Sequence, residues 1–366
     1  MYFSQIKIAQ FRNFEQVIIP VGQKQVLLIG ENGQGKTNLL EAIYTLCYGS
    51  SFRTSNIKEL INQKYKDFKI TGIYQDNEGL DHELEFLFKD NKRTIRLDQR
   101  MIIDRKELIY NIPCIVFSHD DIWFVTGEPE QRRHFFDQTM SMYDSLFFDD
   151  LRKYKNVLKQ RNQAIKDKRD ELLGIYDMQL ASRGLNIQNA RIKAVYEFNQ
   201  IFPALYKEVS ESPYDLTISY IPSWNSCTTE SEILELLKNT RERDFILQTT
   251  SSGIQRDRFI VTYDDKPFMQ IGSTGQVRLA SLLFRVAQMN FYTRKTKRNP
   301  LILVDDVLLE LDFEKRARFL EVLKGYDQAF FTFLPEEKYF YSLSEQDAII
   351  YDVKQGSFKN REKVKL

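Results

Sequence analysis

The chain has 366 residues, 42% hydrophobic and 28% charged, with a formal net charge of +1. That length can bury a large core in two lobes, and the near-neutral balance leaves any nucleic-acid signal to local patches. Cys47, Cys114 and Cys227 lack paired spacing and His82, His119 and His134 are scattered, which argues against a disulfide framework or a zinc site. With no apolar leader and no run of 18 apolar residues, the expectation is a soluble, cytoplasmic protein without a membrane partner.

In chain order, Phe3 to Ile8 and Val17 to Ile19 read as strands flanking Phe11-Arg12-Asn13-Phe14. Val26 to Ile29 is a short apolar run of strand type, and a helical pattern begins at Asn38. Between them stands Gly30-Glu31-Asn32-Gly33-Gln34-Gly35-Lys36-Thr37, which fits G-x-x-x-x-G-K-[ST]. In that motif glycine amides cradle phosphate, the lysine reaches the β/γ-phosphates and the hydroxyl ligates Mg²⁺. Strand, glycine loop and helix together predict nucleoside triphosphate binding. Phe68 to Ile73, Leu84 to Phe88 and Thr94 to Leu97 then alternate at period two, as in an antiparallel sheet beside the nucleotide lobe. Pro113 to Phe117 reads as one more buried strand.

After Gly127-Glu128-Pro129 the pattern turns helical, and no proline interrupts it until Pro203. Leu151, Tyr154, Leu158, Ile165 and Leu172 predict one helix with a break at Gly174; Leu180, Ile187, Arg191, Val195 and Phe198 predict its return. Residues 151–200 carry eleven Lys/Arg against five Asp/Glu. The arm is therefore either a solvated helix face or a phosphate-contacting surface using Lys153, Lys155, Lys159, Arg161, Lys166 and Lys168. The expected segments are 1–118 and 212–366 for the two parts of the head, with 119–211 as the inserted arm. Past Pro213, strands are expected at Leu216 to Tyr220, Phe259 to Val261, Leu301 to Val304, Ala329 to Phe333 and Ala348 to Tyr351. Residues from Lys359 to Leu366 are charged and expected to fray. Ser273-Thr274-Gly275-Gln276 opens a helix, by itself a common cap, and Asp305-Asp306 end a hydrophobic strand positioned to deliver carboxylates to a metal.

Taken together, the serine-glycine-glutamine turn, the acidic strand and Leu309-Glu310-Leu311-Asp312 resemble the signature loop, Walker B strand and D-loop of ATP-binding-cassette ATPases. One short helical insertion, in place of a long coiled coil, narrows the resemblance to the RecF family of bacterial recombination-mediator ATPases. Phe11-Arg12-Asn13-Phe14, the stretch Gly127-Glu128-Pro129-Glu130-Gln131-Arg132-Arg133-His134-Phe135, and Val304 to Asp312 with Lys315-Arg316 carry that match. The resemblance implies an α/β, ABC-type P-loop ATPase head with a mixed central sheet, an antiparallel β subdomain and an inserted helical arm. It also implies ATP and Mg²⁺ as ligands, with Thr37 and Asp305 on the metal.

On the same resemblance, Arg12, Asn13, Gly30, Glu31, Asn32, Gly33, Gln34, Gly35, Lys36, Asn38 and Arg53 surround the nucleotide. Ser273, Gly275, Gln276 and Asp312 act on it from a second subunit, and Lys36, Asp306 and Ser273 carry the catalysis. The implied activity is a weak, DNA-stimulated ATPase in an ATP-dependent homodimer that binds single-strand/duplex junctions in DNA and works with RecR and RecO in recombinational repair. Several positions depart from the family pattern: His119, Ile254-Gln255, Thr274, Val277 and Leu309. No histidine lies near Phe331-Thr332-Phe333, so the switch role falls to Thr332 or is absent, and no Q-loop glutamine follows Phe117. These departures bear on hydrolysis and leave two alternatives, another SMC-like head or an ATP-gated DNA clamp with negligible turnover.

Overall fold

The computed structural model describes residues 1–212, 214–337 and 347–361. The chain divides into two compact units. The first holds Met1–His119, Lys297–Asp312 and Leu323–Leu366; the second holds Asp120–Thr296 and Phe313–Val322. Residues 212–296 share the second unit with the helical arm.

In the first unit, a six-stranded sheet runs in the order Ser357–Asn360, Ala348–Lys354, Gln25–Ile29, Ala329–Phe333, Leu301–Val304, Cys114–Phe117 among the described residues. All neighbours are parallel except the edge hairpin of Ala348–Lys354 and Ser357–Asn360. Gln25–Ile29, Ala329–Phe333, Leu301–Val304 and Cys114–Phe117 are buried throughout, which is why they read as unbroken apolar runs. The fraying expected from Lys359 meets a paired edge strand instead, and residues 362–366 lie outside the described residues. A second, antiparallel sheet has the order Phe14–Pro20, Tyr2–Phe11, Phe68–Gln75, Asp81–Lys89, Lys92–Leu97, Arg100–Met101. Its alternating burial matches the period-two pattern of the sequence.

The second unit is built on the antiparallel arm helices Ser145–Lys166 and Asp170–Phe198. Their turn falls at Asp167–Arg169, not at Gly174, which lies inside the second helix. The backbone explains this shift. Lys168 adopts φ +57°, the Lys168 amide donates to Ile165 and the Arg169 amide to Ala164, a Schellman stop. One helical glycine costs only about 1 kcal/mol and does not end a helix.

Arg161 is fully buried, with Asp177 at 2.7 Å, Asp244 at 2.6 Å and Thr250 at 2.9 Å. It therefore joins the arm's interior and is no part of a DNA-facing set. Arg191 is likewise buried between Asp137 and Asp257. The family-like stretch has a structural task here: Arg132 and Arg133 donate to the carbonyls of Phe259 and Asp257. Phe284 on the helix Thr274–Thr296 packs against Phe124 and Phe202 at ring distances of 4.2 and 3.9 Å. The high aromatic content is core packing in this unit. No described helix is long and apolar enough to cross a membrane.

Candidate nucleotide site

The strand Gln25–Ile29 delivers the loop Gly30 to Gly35 onto the helix Lys36–Tyr48. Gly35 has φ +116° as the helix N-cap, a conformation that L side chains rarely adopt, and a Cβ there would stand 2.9 Å from Asn13 Nδ2. No side chain caps the helix and its first turn has no acidic residue, so the exposed end of the dipole is left for an anion. The Lys36 ammonium folds back over the loop, donating to the carbonyls of Gly30 and Glu31. Glu31, Asn32 and Gly33 are exposed at its crest.

Register brings the acidic strand to the loop. Val304 pairs with Phe331, and Phe331 pairs with Leu27, so Ala329–Phe333 lies between the two motif strands. Asp305, the residue after Val304, then meets the first turn of the loop helix. Thr37 Oγ1 donates to Asp305 Oδ1 at 2.8 Å. The Thr332 hydroxyl accepts from the Asp306 amide at 2.8 Å, and its proton has Asp306 Oδ1 at 2.8 Å and Asp305 Oδ1 at 3.3 Å within reach. Burial pushes the Asp305 carboxyl up to about 6, neighbouring Asp306 adds to the rise, and the Thr37 and Thr332 hydrogen bonds oppose it. A buried carboxylate beside a hydroxyl is a hard-oxygen donor set of the kind that suits Mg²⁺, and a bound cation would relieve the desolvation.

Around the loop, Arg12 and Arg53 converge on Glu41, a fully buried carboxylate one turn into the helix. Arg12 Nε and Nη2 each lie 2.8 Å from it as a bidentate pair, Ser51 donates a third bond, and Arg53 reaches it at 3.3 Å. Arg12 occupies the tight turn between paired Phe11 and Phe14 at φ +50°. Arg53 also donates to Asn38 Oδ1 at 3.1 Å, Asn38 donates to Asn13 at 2.7 Å, and Asn13 donates to the Gln34 carbonyl at 3.3 Å. Sequence reading missed Glu41 and Ser51. Their only signal was an acidic residue on the buried side of the loop helix.

Residues 12, 13, 30–38, 53, 305 and 306 thus lie together in the first unit, and Asp312 ends its middle segment. Ser273, Gly275 and Gln276 belong to the second. Ser273 Oγ accepts from the Gln276 amide at 3.3 Å while Gln276 Oε1 accepts from the Ser273 amide at 2.8 Å, a reciprocal cap that opens the helix Thr274–Thr296. Ser273, Thr274 and Gly275 are exposed.

Residues 2–356 match the family described as RecF/RecN/SMC N terminal domain. A DNA replication and repair protein RecF from Treponema pallidum (strain Nichols) is 39% identical over 349 residues, covering 95% of this chain and 98% of that protein. The RecF of Leptospira interrogans serogroup Icterohaemorrhagiae serovar Lai is 32% identical, with 91% of each chain covered. The solved structure of the recombination mediator protein RecF-ATP in the RecFOR pathway superposes with a TM-score of 0.89 at 26% identity, over 98% of this chain and 99% of that one. An Smc head bound to the C-terminal winged helix domain of ScpA shares the fold, with a TM-score of 0.59 at 16% identity and coverage of 99% and 97%.

Proposed function

The chain belongs to the RecF family of DNA replication and repair proteins, and from that premise we propose an ATP-driven, DNA-binding dimer acting in recombinational repair. The observation that carries this reading is the Thr37–Asp305 hydrogen bond, which joins the phosphate loop and the acidic strand into one site. Lys36 and the amides of Gly33 and Gly35 hold the phosphates of ATP. Thr37 and Asp305 hold Mg²⁺, which when bound supplies positive charge against the phosphate oxygens. Asp306 orients and accepts the proton of the attacking water, with Thr332 fixing its carboxylate.

Ser273 keeps its own hydroxyl proton for a phosphate oxygen, because in its cap the oxygen only accepts. Together with Gly275, Gln276 and Asp312 it acts across a homodimer on the partner's nucleotide. Met269 and Ile271, just before the signature turn, are exposed apolar residues of the kind that another protein covers. Arg152, Lys155, Lys159 and Lys166 are exposed at spacings of three, four and seven, so they form one basic stripe for DNA phosphates. The RecFOR pathway named for the ATP-bound relative supports RecR and RecO as partners; binding to junction DNA and a weak DNA-stimulated turnover belong to the same proposal.

Sedimentation with and without ATP and Mg²⁺ tests the core of this reading. A doubling of mass that requires both ligands is the expected result, and a monomer under all conditions would refute it. A slow ATP-gated clamp is favoured instead if DNA fails to raise ATP turnover, and the threonine at the switch position is the feature that points that way.

A further inference from the structure

The hairpin of Ala348–Lys354 and Ser357–Asn360 reaches the phosphate loop through its turn. The Gly356 amide donates to the Gln34 carbonyl at 2.8 Å, and the Gln355 amide donates to the Gln34 side-chain Oε1 at 2.8 Å. From the N-terminal part of the chain, Asn13 Nδ2 adds a second donor to the same carbonyl at 3.3 Å. The contact continues along the strand: a Cβ on Gly30, the first residue of the loop, would stand only 2.4 Å from the Val353 carbonyl oxygen. The loop is therefore seated against this hairpin at both its beginning and its end.

We propose that Gln34 is a positioning residue, gripped by the Gln355–Gly356 turn, and that this turn is part of the nucleotide site. The inference rests on the reading of Gly30 to Thr37 as the phosphate loop. A trans peptide is planar, with C=O and N–H on opposite edges. Donors at Gly356 and Asn13 hold the Gln34 carbonyl outward, which turns the Gly35 amide on the same peptide toward the inside of the loop. Gly35 at φ +116° has no side chain of its own to fix that orientation. The second grip, on the Gln34 side chain, stops the turn from sliding off. Gln34 thus works on the phosphates through the backbone of Gly35 and makes no direct contact with them. Asn13 is the shared member that also links the turn, through Asn38, to Arg53.

The test uses the full chain and ATP with Mg²⁺. Wild type and Lys36→Ala are compared first, because undiminished ATP binding by Lys36→Ala would sink the phosphate-loop reading itself. Gln34→Ala is then measured beside them; its position is half-buried and the change leaves the sheet intact. Loss of the side-chain bond should weaken ATP binding about fivefold without changing the thermal midpoint of the ATP-free protein. Amide exchange supplies a readout that a general packing role would not move. In wild type, ATP should slow exchange at Gln355 and Gly356; in Gln34→Ala the added protection at Gln355 should be lost even at saturating ATP, while Gly356 keeps its backbone acceptor. Wild-type affinity in Gln34→Ala, or ATP binding to wild type without added protection at residues 355 and 356, would overturn the proposal.

Discussion

Thr37 and Asp305 stand 268 residues apart in sequence and 2.8 Å apart in space, joined by a hydrogen bond between hydroxyl and carboxylate. Ala329–Phe333, lying between the strand that leads into the phosphate loop and the strand that ends before Asp305, makes this possible and places Thr332 against the same carboxylate. The site is thus a product of parallel register, and its electrostatics follow from burial.

The raised Asp305 carboxyl fixes a pH dependence. Its folded-state value of about 6 exceeds the ordinary carboxylate range, so the folded protein holds this proton more tightly than the unfolded chain. The associated stability is fully present below about pH 4 and is lost as pH rises through about 6. Asp305→Asn removes that loss. It should stabilise the metal-free protein at pH 7.5 by up to about 3 kcal/mol, with the difference vanishing near pH 4. Denaturant melts at the two pH values check this. The same variant should lose Mg²⁺-dependent ATP binding, and wild-type Mg²⁺ affinity should fall below pH 6.

Thr332→Val removes the hydroxyl that accepts from the Asp306 amide and faces both carboxylates, at nearly constant volume. ATP affinity should stay within about twofold, while single-turnover hydrolysis should drop by roughly 10²-fold if the hydroxyl fixes a general base. Thr332→Ser should restore most of the rate. Equal rates in wild type and Thr332→Val would assign the threonine to packing alone.

Glu41 separates its two arginines by consequence. Arg12→Ala leaves a fully buried carboxylate without its bidentate partner and should cost about 3 kcal/mol or more of stability. Arg53, exposed over 42% of its side chain and held at 3.3 Å, should cost less than about 1 kcal/mol when replaced by alanine. Its loss should appear in ATP affinity instead. Urea unfolding and ATP titration of the two variants distinguish these effects.

On the arm, Lys155, Lys159 and Lys166 replaced by Gln should lower the log–log salt slope of duplex DNA binding by up to about 0.9 per phosphate contact, with ATP affinity unchanged. Arg161→Gln is the contrast. Because Arg161 neutralises buried Asp177 and Asp244, its loss should destabilise the arm by about 3–5 kcal/mol. An unchanged slope in the triple variant would return the arm's charge to a solvated face.

Sequence legibility tracked how local each constraint is. The phosphate loop and the acidic strand were readable because their spacing is dictated by backbone geometry within a few residues. The antiparallel sheet was readable because one face is buried and alternation reports it. Glu41 was invisible because a single carboxylate on a buried helix face gains its meaning from Arg12 and Arg53, which arrive from separate loops. Arg161 looked like its lysine neighbours, since helical spacing does not say which basic residue turns inward to meet an aspartate. The arm's turn was misplaced because a left-handed Lys168 ended the helix where glycine would have been expected. The union of residues 212–296 with the arm depends on nonlocal contacts such as Arg191 with Asp257, and no composition change marks it.

Ser273→Arg tests the proposed dimer. The loop's hydrogen bonds to Asn13, Asp305, Gln355 and Gly356 and to its own carbonyls use nothing of the signature turn, so a bulky cation there leaves those bonds in place. Its cap to Gln276 uses the serine oxygen, and losing it should cost about 1 kcal/mol at the start of a long, well-buried helix, too little to unfold the unit. ATP binding to the monomer should therefore remain near wild type. Across a dimer, however, the arginine would fill the space meant for a γ-phosphate oxygen and its small hydroxyl donor. Sedimentation in saturating ATP and Mg²⁺ should show only monomers, and ATP turnover should fall with dimer formation. A Ser273→Arg protein that still doubles its mass with ATP would place the signature turn outside the nucleotide-bridged interface.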